Sequence, residues 1–356
     1  MTLSTLLATT RRTSGRRLAV PLALVLGGSV AVAVHSSPAA AAGACTPATN
    51  IEAIIDDSGS MYSTDYDANR AQAIKLFIAK AENAGKTLGA IEFGSGYGSV
   101  PAADTLWAPT PISTGAATMA SQLDALIDAD NGSTDYNSAF ALAGTDNPTA
   151  DARIFLTDGG HNEGTYNNGH LGGPPTYVLG MGIGAATGSN EDADRLQQIA
   201  NDTGGVYYPD VDSDNVQATV NKISAALSCT PVSKTYTDTF TKAGQAKKHT
   251  FKVPKGGKTV VLTLTWASAQ DRFTIRNVTL KAKGGKTKHL KKRQIKLTQG
   301  DTFLTARING VSRGALRFKL KNVALGSGSY AGVELTTQAQ TTKAAHKKKG
   351  KKKHKR

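Results

Sequence analysis

Asn50-Ile51-Glu52-Ala53-Ile54-Ile55-Asp56-Asp57-Ser58-Gly59-Ser60 decides how the first half of this chain folds. Asn50–Asp56 is a short apolar run ending in carboxylates, which suits a strand buried on both faces of a parallel sheet. The residues after it change character at once: Asp56, Ser58 and Ser60 place small oxygen donors at alternate positions of a tight loop.

Outward from this strand, apolar periodicity alternates between two and 3.6 residues. Asp67–Ala84 reads as a helix with Ala71, Ile74, Phe77 and Ile78 on one face and Gly85 as its stop. Lys86–Phe93 reads as the next strand, and Thr105–Ile112 as an edge strand weakened by Pro109 and Pro111. Helical patterns over Met119–Ile127, Tyr136–Ala143, Glu191–Asn201 and Asn215–Leu227 alternate with strands over Ala152–Thr157, Pro175–Ile183 and Val206–Tyr208. Such alternation predicts an open, mostly parallel sheet with helices on both faces. Ligands of such sheets bind beyond the carboxyl ends of the strands.

The oxygen donors lie at those ends. Asp56, Ser58 and Ser60 follow the first strand, Thr134 sits in Asn131-Gly132-Ser133-Thr134-Asp135 before a helix, and Asp158 closes the strand Ala152–Thr157. A hard divalent cation takes oxygen ligands in a near-octahedral shell that retains water, and hydroxyls from separate loops backed by carboxylates match that demand.

These three pieces, Ile54–Met61, Gly132–Asp135 and Ile154–Gly159, together with Leu196–Tyr208, resemble the von Willebrand factor type A (VWA) domain with a complete metal-ion-dependent adhesion site. The resemblance covers about residues 48–228 and implies a Rossmann-like α/β domain. It implies Ser58, Ser60 and Thr134 as direct ligands, and Asp56 and Asp158 as carboxylates acting directly or through water. Mg²⁺ is the implied ion, with Ca²⁺ or Mn²⁺ as substitutes, and the implied partner is a protein presenting an Asp or Glu. Asp57 and Asp135 depart from the usual small or apolar neighbours and are expected to add negative charge. The competing reading, hydrolysis by Ser58 or Ser60, needs a histidine base. His161 and His170 are the candidates, and as residues of the Gly/Asn-rich loop 159–174 they are expected at the surface, or the loop to shape the rim of the metal site, so no enzyme activity is expected.

Charge divides the chain of 356 residues. Its net +15 suggests a nucleic-acid binder only while it is read as one number. Residues 1–42 carry four Arg and no acid; residues 43–229 carry 7 basic against 23 acidic residues; residues 230–356 carry 31 against 4. Two domains with different partners follow from that asymmetry. The first segment has Arg11, Arg12, Arg16 and Arg17, then an apolar run from Leu18 to Val34, then small residues up to Ala42. It reads as a signal peptide over 1–42, by the general or the twin-arginine route, with a retained anchor as the other reading. No long apolar stretch follows residue 34, so no transmembrane span is expected beyond the leader. The chain is accordingly expected outside the cell or on the envelope. The two cysteines, Cys45 and Cys229, bracket the acidic segment and read as one disulfide in an oxidising compartment, or as two free thiols.

The basic part, 230–338, has strand alternation over residues 250–335 with Gly-rich turns, which predicts a small antiparallel β-sandwich. Its solvent-facing alternates include Arg272, Arg276, Arg317, Lys319 and Lys321. Lys291, Lys292 and Arg293 lie in a dense basic loop. Residues 339–356, with Lys347, Lys348, Lys349, Lys351, Lys352 and Lys353, form a tail kept disordered by its own repulsion. These clusters point to an anionic cell-envelope polymer or another polyanion. Aromatics do not interleave with them, which argues against sequence-specific nucleic acid. The expected function is non-enzymatic adhesion through the metal site with attachment through the basic module. The alternative is a polyanion-binding envelope protein whose α/β domain serves structure or assembly.

Overall fold

A computed structural model describes residues 45–341 apart from 97, 99, 128–131 and 327–330. The expected leader (1–42) and the tail lysines 347–349 and 351–353 therefore lie outside the described residues.

The first half is an α/β layer of β1 (Asn50–Asp56), α1 (Met61–Thr64), α2 (Asn69–Ala79), β2 (Thr87–Phe93), β3 (Ala103–Pro111), α3 (Ile112–Gln122), α4 (Tyr136–Asp146), β4 (Ala152–Thr157), β5 (Thr176–Met181), α5 (Glu191–Thr203), β6 (Val206–Val211) and α6 (Val216–Leu227). The strands form one sheet in the order β3-β2-β1-β4-β5-β6. All neighbours are parallel except β2 and β3. β1 is central and its side chains divide between two cores. Ile51, Ala53 and Ile55 pack towards α2, α3 and α6, while Ile54 joins Phe93, Phe155 and Val178 under α4 and α5. Helices cover both faces, as the alternating pattern requires.

Local departures have local causes. α2 stops at Ala79, five residues before the expected end. The Asn83 side chain donates to the Phe77 carbonyl (2.8 Å), and Lys80 turns into extended backbone to bury its ammonium against Asn221 and Glu82. α3 begins at Ile112, and only Leu123–Ile127 of the expected helix is 3₁₀. β3 tolerates Pro109 and Pro111 because it is the antiparallel edge, paired on one side with an irregular register.

The second half is β7 (Lys234–Phe240), β8 (Ala246–Val253), β9 (Gly257–Thr265), β10 (Arg272–Ala282), β11 (Thr287–His289), β12 (Ile295–Gln299), β13 (Phe303–Asn309), β14 (Gly314–Ala324) and β15 (Ala331–Thr341). They form two antiparallel sheets, β11-β10-β14-β8 and β12-β13-β9-β15-β7. Between them lies a core of Phe240, Leu262, Trp266, Phe273, Phe318 and their neighbours. This is the expected sandwich. β15 runs to Thr341, beyond residue 338, because Ala339 and Gln340 still find Val260 and Thr259 on β9.

A disulfide joins Cys45 to Cys229, closing the α/β layer across 184 residues of sequence. Beside it Ala48 N donates to Leu227 O at 2.9 Å. The two halves meet through α6, which is buried along almost its whole length. Its polar stripe faces the sandwich. Gln217 Nε2 donates to Thr302 Oγ1 (2.9 Å) and to Asn69 Oδ1 (2.8 Å), and Asn221 Nδ2 donates to Thr336 Oγ1 (2.8 Å). The connection between α6 and β7 is short and pinned, with Gln338 Nε2 on Thr230 O (2.9 Å) and Ser233 N on Thr337 O (2.7 Å). No helix of the described residues is long and apolar enough to cross a membrane.

Candidate metal centre

The five oxygen-bearing residues are placed by two adjacent strands and the loop before α4. β1 and β4 pair in parallel, so Asp56 ends one strand beside Asp158, which follows the other. The loop after β1 is tied to the loop before α4 by Gly59 N donating to Gly132 O at 2.8 Å. Gly132 has φ +71, and a side chain there would press on Ser95 Oγ, which itself accepts from Ser133 N at 2.8 Å. Thr134 is in turn held by Asn162, whose Oδ1 accepts from Thr134 N at 2.8 Å while Asn162 N donates to Thr134 O at 3.1 Å.

Within this frame the donors converge. Ser58 Oγ and Ser60 Oγ are 3.1 Å apart, and Ser60 Oγ donates to Asp158 Oδ1 at 2.7 Å. A Cβ on Gly159 would stand 3.3 Å from Thr134 Oγ1 and 3.9 Å from Ser60 Oγ, so both hydroxyls face one small space that a glycine keeps open. Asp56 lies behind. It is fully buried, with Oδ1 accepting from Ser58 N (2.8 Å) and Oδ2 from Thr157 Oγ1 (2.5 Å). Burial pushes the Asp56 carboxyl up to about 6; the bonds from Ser58 and Thr157 hold it down in part, and the charge of Asp158 raises it. The other Asp158 oxygen, Oδ2, is buried without a hydrogen-bond partner. A buried carboxylate oxygen left so is costly unless something positive meets it.

The donor set fits a hard divalent ion: hydroxyls and carboxylates, no thiolate, no imidazole. Among the described residues no three His, Cys, Asp or Glu side chains gather into a cage, so any ion held here depends on the hydroxyls.

Three sequence expectations are corrected, for Asp57, His161 and His170, and Asp135 gains a structural role. Asp57 adds no free charge at the mouth; it is buried and paired with Arg70 (Nη2–Oδ1, 2.8 Å). Arg70 is itself fully buried, and also binds Asp65 (3.2 Å) and the Leu126 carbonyl (2.6 Å). Asp135 caps α4, accepting from Asn137 N (2.9 Å) and Ser138 Oγ (2.5 Å). His161 is a buried ring whose Nδ1 accepts from Tyr136 N at 3.1 Å, and it packs at a tilt against the Tyr136 and Tyr166 rings. His170 is fully buried, with Nδ1 on Tyr166 OH (2.6 Å) and Nε2 on Asp202 Oδ2 (3.0 Å). Both imidazoles build the loop wall instead of facing solvent.

Asn162 and Ser95 support the site yet carry no signal in the sequence, and Gly132 and Thr157 lie inside the quoted motifs without a role being readable for them. Only the juxtaposition of three loops shows what each of them holds. Of the basic residues expected to bind polyanions, Lys291, Lys292 and Arg293 are exposed on a turn before β12.

No family model matches the chain, and no curated protein matches it in sequence. Among solved structures, it is similar to a von Willebrand factor type A protein from Catenulispora acidiphila (20% identity, 83% of this chain, 63% of that chain, TM-score 0.42). It is similar also to the pilus adhesin SpaC from Lactobacillus rhamnosus GG (12%, 83% and 44%, TM-score 0.40). A third is proximal thread matrix protein 1 of the mussel byssus, whose own metal-ion-dependent adhesion site holds zinc (15%, 56% and 51%, TM-score 0.37). The chain thus spans less than two thirds of each of these relatives. At such scores the likeness carries no argument about function, and the fold rests on the strand order above.

Proposed function

We propose that this is a secreted or envelope-associated, non-enzymatic binding protein. In this reading Ser58, Ser60 and Thr134 hold a divalent cation, Mg²⁺ first, with Asp56 and Asp158 as its carboxylates. The ion supplies the positive charge that captures an Asp or Glu on a protein partner. The observation that carries the reading is the Asp158 carboxylate, whose Oδ1 accepts from Ser60 Oγ while its Oδ2 is buried without a partner, next to the space that the Ser60 and Thr134 hydroxyls face. Asp56 orients the loop by taking Ser58 N, and Thr157 fixes its second oxygen. Both nitrogens of His170 are engaged, and His161 Nδ1 accepts from Tyr136 N, so neither ring offers Ser58 or Ser60 a free basic nitrogen, which favours binding over a serine–histidine reaction. The disulfide fits an oxidising compartment outside the cytoplasm. The basic module, including Lys291–Arg293 and the tail, attaches the molecule to an anionic envelope polymer or another polyanion.

Calorimetric titration of the purified chain with Mg²⁺, Ca²⁺ and Mn²⁺ tests the metal site directly. One-to-one binding that is lost in Thr134→Ala and Asp158→Asn is expected. Retention of a surface partner in Mg²⁺ and its release by chelator test the adhesive role. If no divalent ion binds, the reading in which the α/β layer serves structure, and the basic module alone binds, takes its place.

A further inference from the structure

The outer face of the sheet β11-β10-β14-β8 carries cations in register. Lys319 on β14 pairs with Lys248 on β8 and Arg276 on β10, so one row across three strands is entirely basic. The next row is Thr250, Arg317, Thr279 and His289. Beyond it Lys252 and Lys281 flank Ala315, and on the other side Lys321 lies beside Thr274. The opposite side chains, Phe251, Leu316, Phe318 and Leu320, are buried in the core, so alternation sends the cations to solvent. These four strands contain no Asp or Glu. Among the described residues none of these lysines and arginines has an ion-pair partner, and neighbouring strands set them about 4.8 Å apart. Like charges side by side cost stability, so the row is a poor solution for folding alone.

The face has a direction. At Arg276 the strand is broken by a bulge, with Asn277 at φ +52 and a register shift before Thr279. There Arg276 and Asn277 turn into a groove of about 670 Å³ whose other walls include His289, Lys292, Ile295 and Leu297. Arg276 therefore belongs to both the basic row and the groove, and the groove ends on the Lys291–Arg293 cluster.

We propose that this face and groove form one continuous binding site for a linear acidic polysaccharide. The proposal rests on the polyanion attachment above and names where and what. Threonine hydroxyls alternate with the cations across the rows, which matches a chain presenting hydroxyls between its carboxylates. No Phe, Tyr or Trp stands in these rows for base stacking, and His289 is their one ring, which disfavours single-stranded nucleic acid. Its exposed aliphatic side chain, Val323, is too little to enter a bilayer.

The test uses the full-length chain and polygalacturonate, with inorganic polyphosphate, a thymidine oligonucleotide and phosphatidylglycerol vesicles as competing probes. Neutralising Arg317, Lys319 and Lys321 to Gln, and separately Arg276→Gln, is expected to weaken glycan binding about tenfold and flatten its salt dependence. Circular dichroism and melting confirm that both variants are folded. A variant with Lys347–Lys349 and Lys351–Lys353 changed to Gln should keep most of the binding. Unchanged glycan affinity in the folded face variants overturns the site. So does tighter binding of polyphosphate, oligonucleotide or vesicles than of glycan. If the tail variant alone loses binding, polyanion attachment stands and this face is not its seat. If none of the probes binds, attachment itself fails.

Discussion

Glu52 is a carboxyl in the middle of the central strand, and replacing it with Gln should reshape the pH dependence of stability. The side chain is fully buried beneath α4, between Gly89 on β2 and Arg153 on β4, and a side chain at Gly89 would overlap it. Burial pushes its carboxyl from 4.5 up to about 8; the bond from Asn147 Nδ2 (3.0 Å) and the charge of Arg153 only partly oppose this, and Asp146 adds to the rise. The unfolded chain releases this proton near pH 4.5, while the folded chain holds it to about 8. The group's contribution is therefore complete below pH 4.5 and is lost as pH rises towards 8. At about 1.4 kcal/mol per pH unit, the loss reaches about 3 kcal/mol at pH 7. Glu52→Gln keeps the shape and an acceptor for Asn147 but has no proton to lose. Urea denaturation from pH 5 to 8 should show the variant's advantage over the parent growing with pH, because other titrations cancel in the difference. A difference that stays constant across that range would refute the reasoning.

Other substitutions probe separate parts of the molecule. Arg70→Met uncovers Asp57 and Asp65 together and should cost about 3 kcal/mol or more, read by urea denaturation, even though it touches no proposed metal ligand. Breaking the Cys45–Cys229 bridge with a double serine variant frees a loop of 184 residues and should cost up to about 5 kcal/mol, read as a fall in melting temperature. Gln217→Ala removes the bond to Thr302 across the two halves and should cost about 1–2 kcal/mol. In the parent chain a single calorimetric transition is expected, and separate transitions for the two halves would contradict the interface.

The fold was legible where burial is symmetric. β1, β4 and β5 are apolar on both sides, so a simple run identifies them and their order follows from the alternation with helices. The five candidate ligands were legible for a similar reason, since each sits where a strand or loop ends. What escaped depends on partners far away in sequence. Asp57 is explained by Arg70, and His170 by Asp202. Gln217 and Asn221 look like the solvent side of α6 until Thr302 and Thr336 are placed against them. β7 lies before residues 250–335 and was missed because most of its residues are hydroxylic or charged and it is a sheet edge, where little apolar signal is required.

The pinned join between α6 and β7 has a consequence for how two binding surfaces on one chain would act together. A flexible tether lets a second contact form over a range of spacings at a moderate effective concentration. Here the segment 230–233 is held by Gln338 and Thr337, and α6 is wedged between two sheets, so little slack remains. A matrix seated on the basic sheet would fix the direction in which the metal centre looks. A partner at the matching distance and angle would gain the full benefit of double engagement, and one slightly displaced would gain none. The molecule would then discriminate by spacing, behaving as a gauge between two surfaces more than as glue.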